Sequence, residues 1–416
     1  MHTPLRKWLQ ISLFNLLLIA FAGIILRYKI AFSLPIIDQK YLLHGHSHFA
    51  FAGWLSQVLM VLLIAHLSEQ TGQNCFIKYR GVLYANLVTA YGMLLTFPFI
   101  GYGFLSIFFS TLSVFVSYQF SVMYWKDLNR MPSRRVGNAW FKLGLLSNII
   151  SSIGPFSLAY MMATKNIPQN WYLTSIYFFL HFQYNGWFLF TCMGLLCYQL
   201  FKSGISEKQL KNIYYLFAVA IVPTFFLSLL WWPIPGWLYV TVVIAAIAQL
   251  AGWWLLLAFI RRNLFNIIKE ISGLTRWLFV LFGLAFTAKL FLQAGSVIPS
   301  LSKLAFGFRP IVIGYLHLVL LGVISIFILG YMLTLKYISL TKMIKAGVIV
   351  FVGGIFLNEI ILMSQGIADI NYIGIPFVDY LLLSTAVIMF SGIFILNVGI
   401  KSARPYSTPV TNDLFH

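Results

Sequence analysis

Tyr41-Leu-Leu-His44-Gly-His46-Ser-His48-Phe-Ala-Phe-Ala-Gly-Trp54 is the stretch from which the fold is read, and the chain stays apolar beyond it to Ala65. Three of the eight histidines fall here, at the mouth of a segment long enough to cross a bilayer. An imidazole is costly to bury alone in hydrocarbon, so a cluster of them calls for a metal, a heme or a proton path. On a helix, His44 and His48 lie about 40° apart and roughly 6 Å along one face, whereas His46 points nearly the opposite way. At most two of the three can serve one site. The third has another task.

The rest of the composition is that of a membrane protein. Of 416 residues, 60% are hydrophobic and 9% charged, and the mean hydropathy is +0.88. No polar stretch is long enough for a soluble domain. The formal charge of +19 does not indicate nucleic acid, because the basic residues lie in short connections between apolar runs. The first run follows Arg6-Lys7 without a small-residue cleavage site and reads as a retained helix. Cys75, Cys192 and Cys197 form no Cys-x-x-Cys or Cys-x-x-Cys-His motif, which excludes a disulfide scaffold, an iron–sulfur cluster and covalent c-type heme.

The apolar runs predict an all-α, polytopic bundle of twelve spans, near 8–28, 41–66, 81–101, 103–125, 139–163, 171–200, 211–232, 237–260, 277–298, 309–333, 343–364 and 379–400. They make one domain over 1–401, followed by a cytoplasmic tail over 402–416. Of the 28 lysines and arginines, 21 fall at one set of span ends, six at the other, and Lys289 inside a span. That bias predicts both termini on the cytoplasmic side of a plasma (inner) membrane. Outer connections such as Trp231-Trp-Pro-Ile-Pro-Gly-Trp237 carry the aromatics expected of interfacial anchors. The cysteine, proline and charge patterns show no internal repeat.

On this topology the second, sixth and tenth spans all start outside and carry histidine into the outer half of the membrane. His181 and His317 sit about 15 Å and about 12 Å below Trp171 and Arg309 at the helical rise. Two imidazoles from facing helices at one depth are what a low-spin heme requires, with the porphyrin packed among apolar side chains. Depth pairs His48 with His317. The ring nitrogen turned away from iron would donate to Ser47 or a backbone carbonyl.

Twelve spans with histidines on the second, sixth and tenth resemble subunit I of the heme–copper oxidases, a superfamily that includes the large subunit of nitric oxide reductase. The resemblance is architectural over the whole chain and local at three motifs. It implies an axial low-spin heme b ligand from Tyr41-Leu-Leu-His44-Gly45, which favours His44, opposite His317 in Gly314-Tyr315-Leu316-His317. It puts Tyr315 where the family has the proximal histidine of a high-spin heme. In His181-Phe-Gln-Tyr-Asn185-Gly-Trp187, His181 matches a ligand of the second metal and Asn185 the position of a catalytic tyrosine or glutamate. The seventh span, with Ser228-Leu-Leu-Trp231-Trp232-Pro233, lacks the expected His-His pair, so a second heme, copper or non-heme iron is not expected. The resemblance further implies a cytochrome or quinol electron donor, or a diatomic gas ligand.

Arg309 is placed to meet heme propionates or to anchor its helix at the interface. Lys289 and Glu359 are intramembrane charges that either pair with each other or relay protons. Gly53, Gly186 and Gly322 each follow a histidine and admit a macrocycle or a neighbouring helix. Two other readings stay open. His44-Gly-His46 is also similar to the His-x-His of the NnrS nitric-oxide-response heme proteins. A secondary transporter for a metal or small cation would use the histidines as substrate ligands, but it would call for inverted repeats or interrupted helices.

Overall fold

A computed structural model of the chain describes residues 2–131, 136–269, 271–335 and 339–402. The tail expected at 402–416 therefore lies, from 403 onward, outside the described residues. Among the described residues there is helix and no strand. With no water in a bilayer core, helices satisfy every backbone group internally, and the apolar runs leave the chain no cheaper alternative.

In chain order the long helices are α1 (Pro4–Ala31), α2 (Gln39–Thr71), α3 (Phe76–Ile100), α4 (Phe104–Arg130), α5 (Gly137–Ala163), α6 (residues 169–202), α7 (Glu207–Ala220, continued by Pro223–Leu229), α8 (Gly236–Arg262), α9 (Gly273–Gly295), α10 (Arg309–Thr334), α11 (Lys342–Ile370) and α12 (Val378–Ser402), with short helices at Leu264–Lys269 and Pro299–Gly307 in the connections. Ten of them are long and apolar enough to cross a membrane, and α7, bent by 42° ahead of Pro223, brings the number to eleven. The remaining expected span, α6, is helical throughout, but Gln169, Asn170, Gln183 and Asn185 make it more polar than the ten.

Neighbours in sequence pack antiparallel, and α12 returns against α1. At the centre stand α2, α6 and α10. Every residue from Val58 to Ile64 is fully buried, and the stretches 181–198 of α6 and 323–332 of α10 are buried throughout. Lipid-facing helices are apolar as well, so what sets these three apart is that other helices cover them on every side.

Each central helix departs from α geometry just after its histidine. A π-helical turn spans Ala50–Ser56 in α2, His181–Phe188 in α6 and Leu318–Ser325 in α10. Such turns shift the hydrogen-bond ladder and free carbonyls that must find other donors. In α2, Asn86 Nδ2 of α3 donates to the Ala52 carbonyl (3.0 Å), and Asn15 Nδ2 of α1 donates to that of Gly53 (2.5 Å). Tyr91 holds Asn15 in turn, its hydroxyl donating to Asn15 Oδ1 at 2.7 Å. In α10, Ser325 Oγ donates to the Leu320 carbonyl at 2.8 Å.

Candidate functional site

The helical wheel separates the three histidines of α2 onto two sides, and the neighbouring helices give each side its meaning. His46 faces α1. Its Cε1 lies 3.7 Å from where a Cβ on Gly23 would stand, and it interacts electrostatically with Arg27. His317 of α10 interacts in the same way with both Arg27 and His46. The structure thus turns His46, and neither His44 nor His48, towards His317.

The Nδ1 atoms of His46 and His317 are both buried without a hydrogen-bond partner. The Ile19 and Ile313 carbonyls face these rings but do not meet Nδ1 with hydrogen-bonding geometry. Both histidines are only partly buried. Arg27, in the last turns of α1, is half-buried and within electrostatic reach of Arg309 and Asp379. Two guanidiniums beside one carboxylate leave an excess positive charge near the two imidazoles.

His44 and His48 face α3 instead. His48 stacks on Phe97 (centroids 4.5 Å apart, 8° between planes), and His44 meets Tyr102 edge-on at 4.8 Å. Ser47 Oγ donates to the carbonyl of His44 at 3.1 Å and contacts no ring nitrogen of the histidines.

The stretch matching a second metal site is differently engaged. His181 is 1% exposed; its Nε2 donates to the Ile221 carbonyl at 2.8 Å and its Nδ1 accepts from Asn185 Nδ2 at 3.2 Å. Both ring nitrogens are used, which fixes the neutral tautomer. Ile221 belongs to the kink of α7, where the chain passes into a 3₁₀ turn, Pro223–Leu229, that carries no histidine. Tyr315 sits near Tyr184, with ring centroids 6.4 Å apart. Among the described residues no three or more His, Cys, Asp or Glu side chains come together to hold a metal ion.

Lys289 and Glu359 do not pair with each other. Lys289, 1% exposed, donates from Nζ to Gln293 Oε1 at 2.6 Å, and Gln293 Nε2 donates to Gln249 Oε1 of α8 at 2.9 Å. Glu359 accepts from its own neighbour Asn358 at 3.1 Å.

The site also exposes a signal that the pattern reading passed over. His48-Phe-Ala-Phe-Ala-Gly53-Trp54, His181-Phe-Gln-Tyr-Asn-Gly186-Trp187 and His317-Leu-Val-Leu-Leu-Gly322-Val323 share one spacing, and each histidine stands at the first residue of a π-helical turn or within two residues before it. This is a threefold repeat of helices four apart in the chain. No protein-family model matches the sequence, and no curated protein matches it.

Proposed function

We propose that the chain is a twelve-span membrane heme protein of the heme–copper oxidase type, holding one low-spin heme b between His46 and His317 and passing electrons. One observation carries this reading: imidazoles from α2 and α10 lie within electrostatic range of each other, each with a buried Nδ1 that has no hydrogen-bond partner.

The residues fit such a group. Two neutral imidazoles are a sufficient axial donor set. Arg27 and Arg309, with Asp379 beside them, leave a net positive charge near the imidazoles, the sign that propionates require. The Ile19 and Ile313 carbonyls are placed to take the N–H of each ring once a bound porphyrin orients it. Bound there, a bis-histidine heme supplies a one-electron centre with both axial positions filled, so electron relay is favoured over gas binding. The protein orients the imidazoles, neutralises the propionates and keeps water from the inner half, where α2, α6 and α10 close over Val58–Ile64.

A reduction site beside it is not part of this proposal, since His181 has no free ring nitrogen and α7 brings no histidine. A cytochrome or quinol is the donor class consistent with an outer-half heme. We place both termini in the cytoplasm of a plasma (inner) membrane, on the basic-residue bias. The NnrS-like reading rests on His44-Gly-His46, of which only His46 is turned towards His317, whereas a cation transporter would need histidines that converge in larger number.

A dithionite-reduced minus oxidised spectrum of the purified protein tests the proposal. A sharp b-type band is expected, lost in His46→Ala and in His317→Ala and kept in His44→Ala and His48→Ala. A colourless protein, or a band that survives loss of either His46 or His317, overturns it.

A further inference from the structure

We propose that the other face of α2 carries a separate site for a divalent transition metal, copper(II) or zinc, held by His44 and His48. The inference does not rest on the heme reading, which uses neither residue.

Two histidines four residues apart on one helix face are the pairing by which helices hold zinc, because the rings lie one turn apart and converge on one ion. Here the His44 Nε2 atom is buried and has no hydrogen-bond partner, an acceptor or donor left open inside the protein. The His48 Nε2 atom lies 3.5 Å from the hydroxyl of Tyr102, longer than a good hydrogen bond and within reach of a shared ion or water. Both rings meet the same Tyr102 ring edge-on, His44 at 4.8 Å and 62°, His48 at 6.3 Å and 79°. The two imidazoles therefore share one tyrosine neighbour.

The surroundings hold this arrangement in place. Phe97 lies flat against His48 and fixes its plane. A Cβ on Gly45, between the two histidines, would come within 2.9 Å of Pro98 Cγ, so α2 is pressed against α3 and this face cannot rotate away. Tyr102 stands in the connection between α3 and α4 and is 45% exposed, which gives an ion a path from the outer surface. Two imidazoles with a phenol oxygen, completed by water, suit copper(II) or zinc better than calcium or magnesium, which prefer all-oxygen shells.

The test uses the full-length protein purified in detergent and stripped with a chelator. One equivalent of copper(II) should give an electron paramagnetic resonance spectrum with hyperfine splitting from two imidazole nitrogens, and zinc should displace it. His44→Gln and His48→Gln should each lower copper affinity by about 100-fold and Tyr102→Phe by about 10-fold. The spectrum of the unmutated protein stands even where a variant fails to fold. Absence of a two-nitrogen signal, or wild-type affinity in the folded double variant, overturns the proposal.

Discussion

Trp54 of α2 donates its indole N–H to Ser325 Oγ of α10 across 3.1 Å. One step round the centre, Trp187 of α6 donates to Ser56 Oγ of α2 at 3.2 Å. In the repeat, Trp54, Trp187 and Val323 stand six residues past a histidine, while Ser56, Leu189 and Ser325 stand eight past it. The first helix thus bonds to the third and the second to the first. In the same register the positions for the remaining link, third to second, are Val323 and Leu189, both apolar and both buried.

Both tryptophans are buried, so phenylalanine in their place removes the N–H and leaves part of the indole volume empty. Trp54→Phe and Trp187→Phe should each cost about 2 kcal/mol, the hydrogen bond and the unfilled space together. Val323→Trp should cost more than either, since Leu189 offers no acceptor and the added indole overpacks the core. Thermal unfolding in detergent reads all three.

Much of this centre was legible beforehand. Hydropathy alone located the helices, and the wheel placed His44 and His48 opposite His46. Which side looks towards α10 was not legible, because that depends on α1 and α3 flanking α2, a fact of tertiary packing. Depth favoured His48 and the family motif His44, yet the π-helical turns that re-aim each central helix leave no mark in hydrophobic periodicity. The repeat was present in the sequence, but it lies in His and Gly at one spacing, and the cysteine, proline and charge patterns do not carry it. The Lys289–Gln293–Gln249 chain escaped notice because glutamines inside a span look like neutral filler until their partners are known.

The glycines of the repeat are not equivalent. A Cβ at Gly186 would lie 2.8 Å from Ser147 Oγ and closer still to Ser147 Cβ, where α5 crosses α6. At Gly322 the nearest atoms, Ala285 Cβ and Leu318 Cδ1, are both at 3.4 Å, an ordinary contact. Gly186→Ala should therefore destabilise by about 2 kcal/mol, and Gly322→Ala should stay within about 0.5 kcal/mol of wild type. Equal melting temperatures for the two variants would contradict this geometry.

Lys289 depends on a single side-chain acceptor. No ion pair to it forms among the described residues, and Gln293 Oε1 takes its hydrogen bond. Gln293→Leu strands a buried amine and should cost about 3 kcal/mol. Lys289→Met strands only an amide oxygen and should cost about 1–2 kcal/mol. The double variant should recover part of the loss, since it removes the buried amine and leaves only Gln249 Oε1 without its donor. Unfolding of the three variants under one detergent condition gives the order directly.

The orientation of the bundle can be read from one thiol. Cys192 and Cys197 are buried at 0% and 1% exposure, whereas Cys75 is half-buried in the connection between α2 and α3. That connection sits beside Lys78 and Arg80, at the end of the helices rich in basic residues, which the positive-inside bias puts in the cytoplasm. A membrane-impermeant maleimide added to intact cells should leave the protein unlabelled and should label it once the membrane is permeabilised. Cys75→Ser should abolish the labelling, showing that neither buried thiol contributes. Labelling in intact cells would reverse the orientation and carry His44, His46, His48 and His317 to the cytoplasmic half. An extracytoplasmic electron donor could then no longer meet the site at its near face.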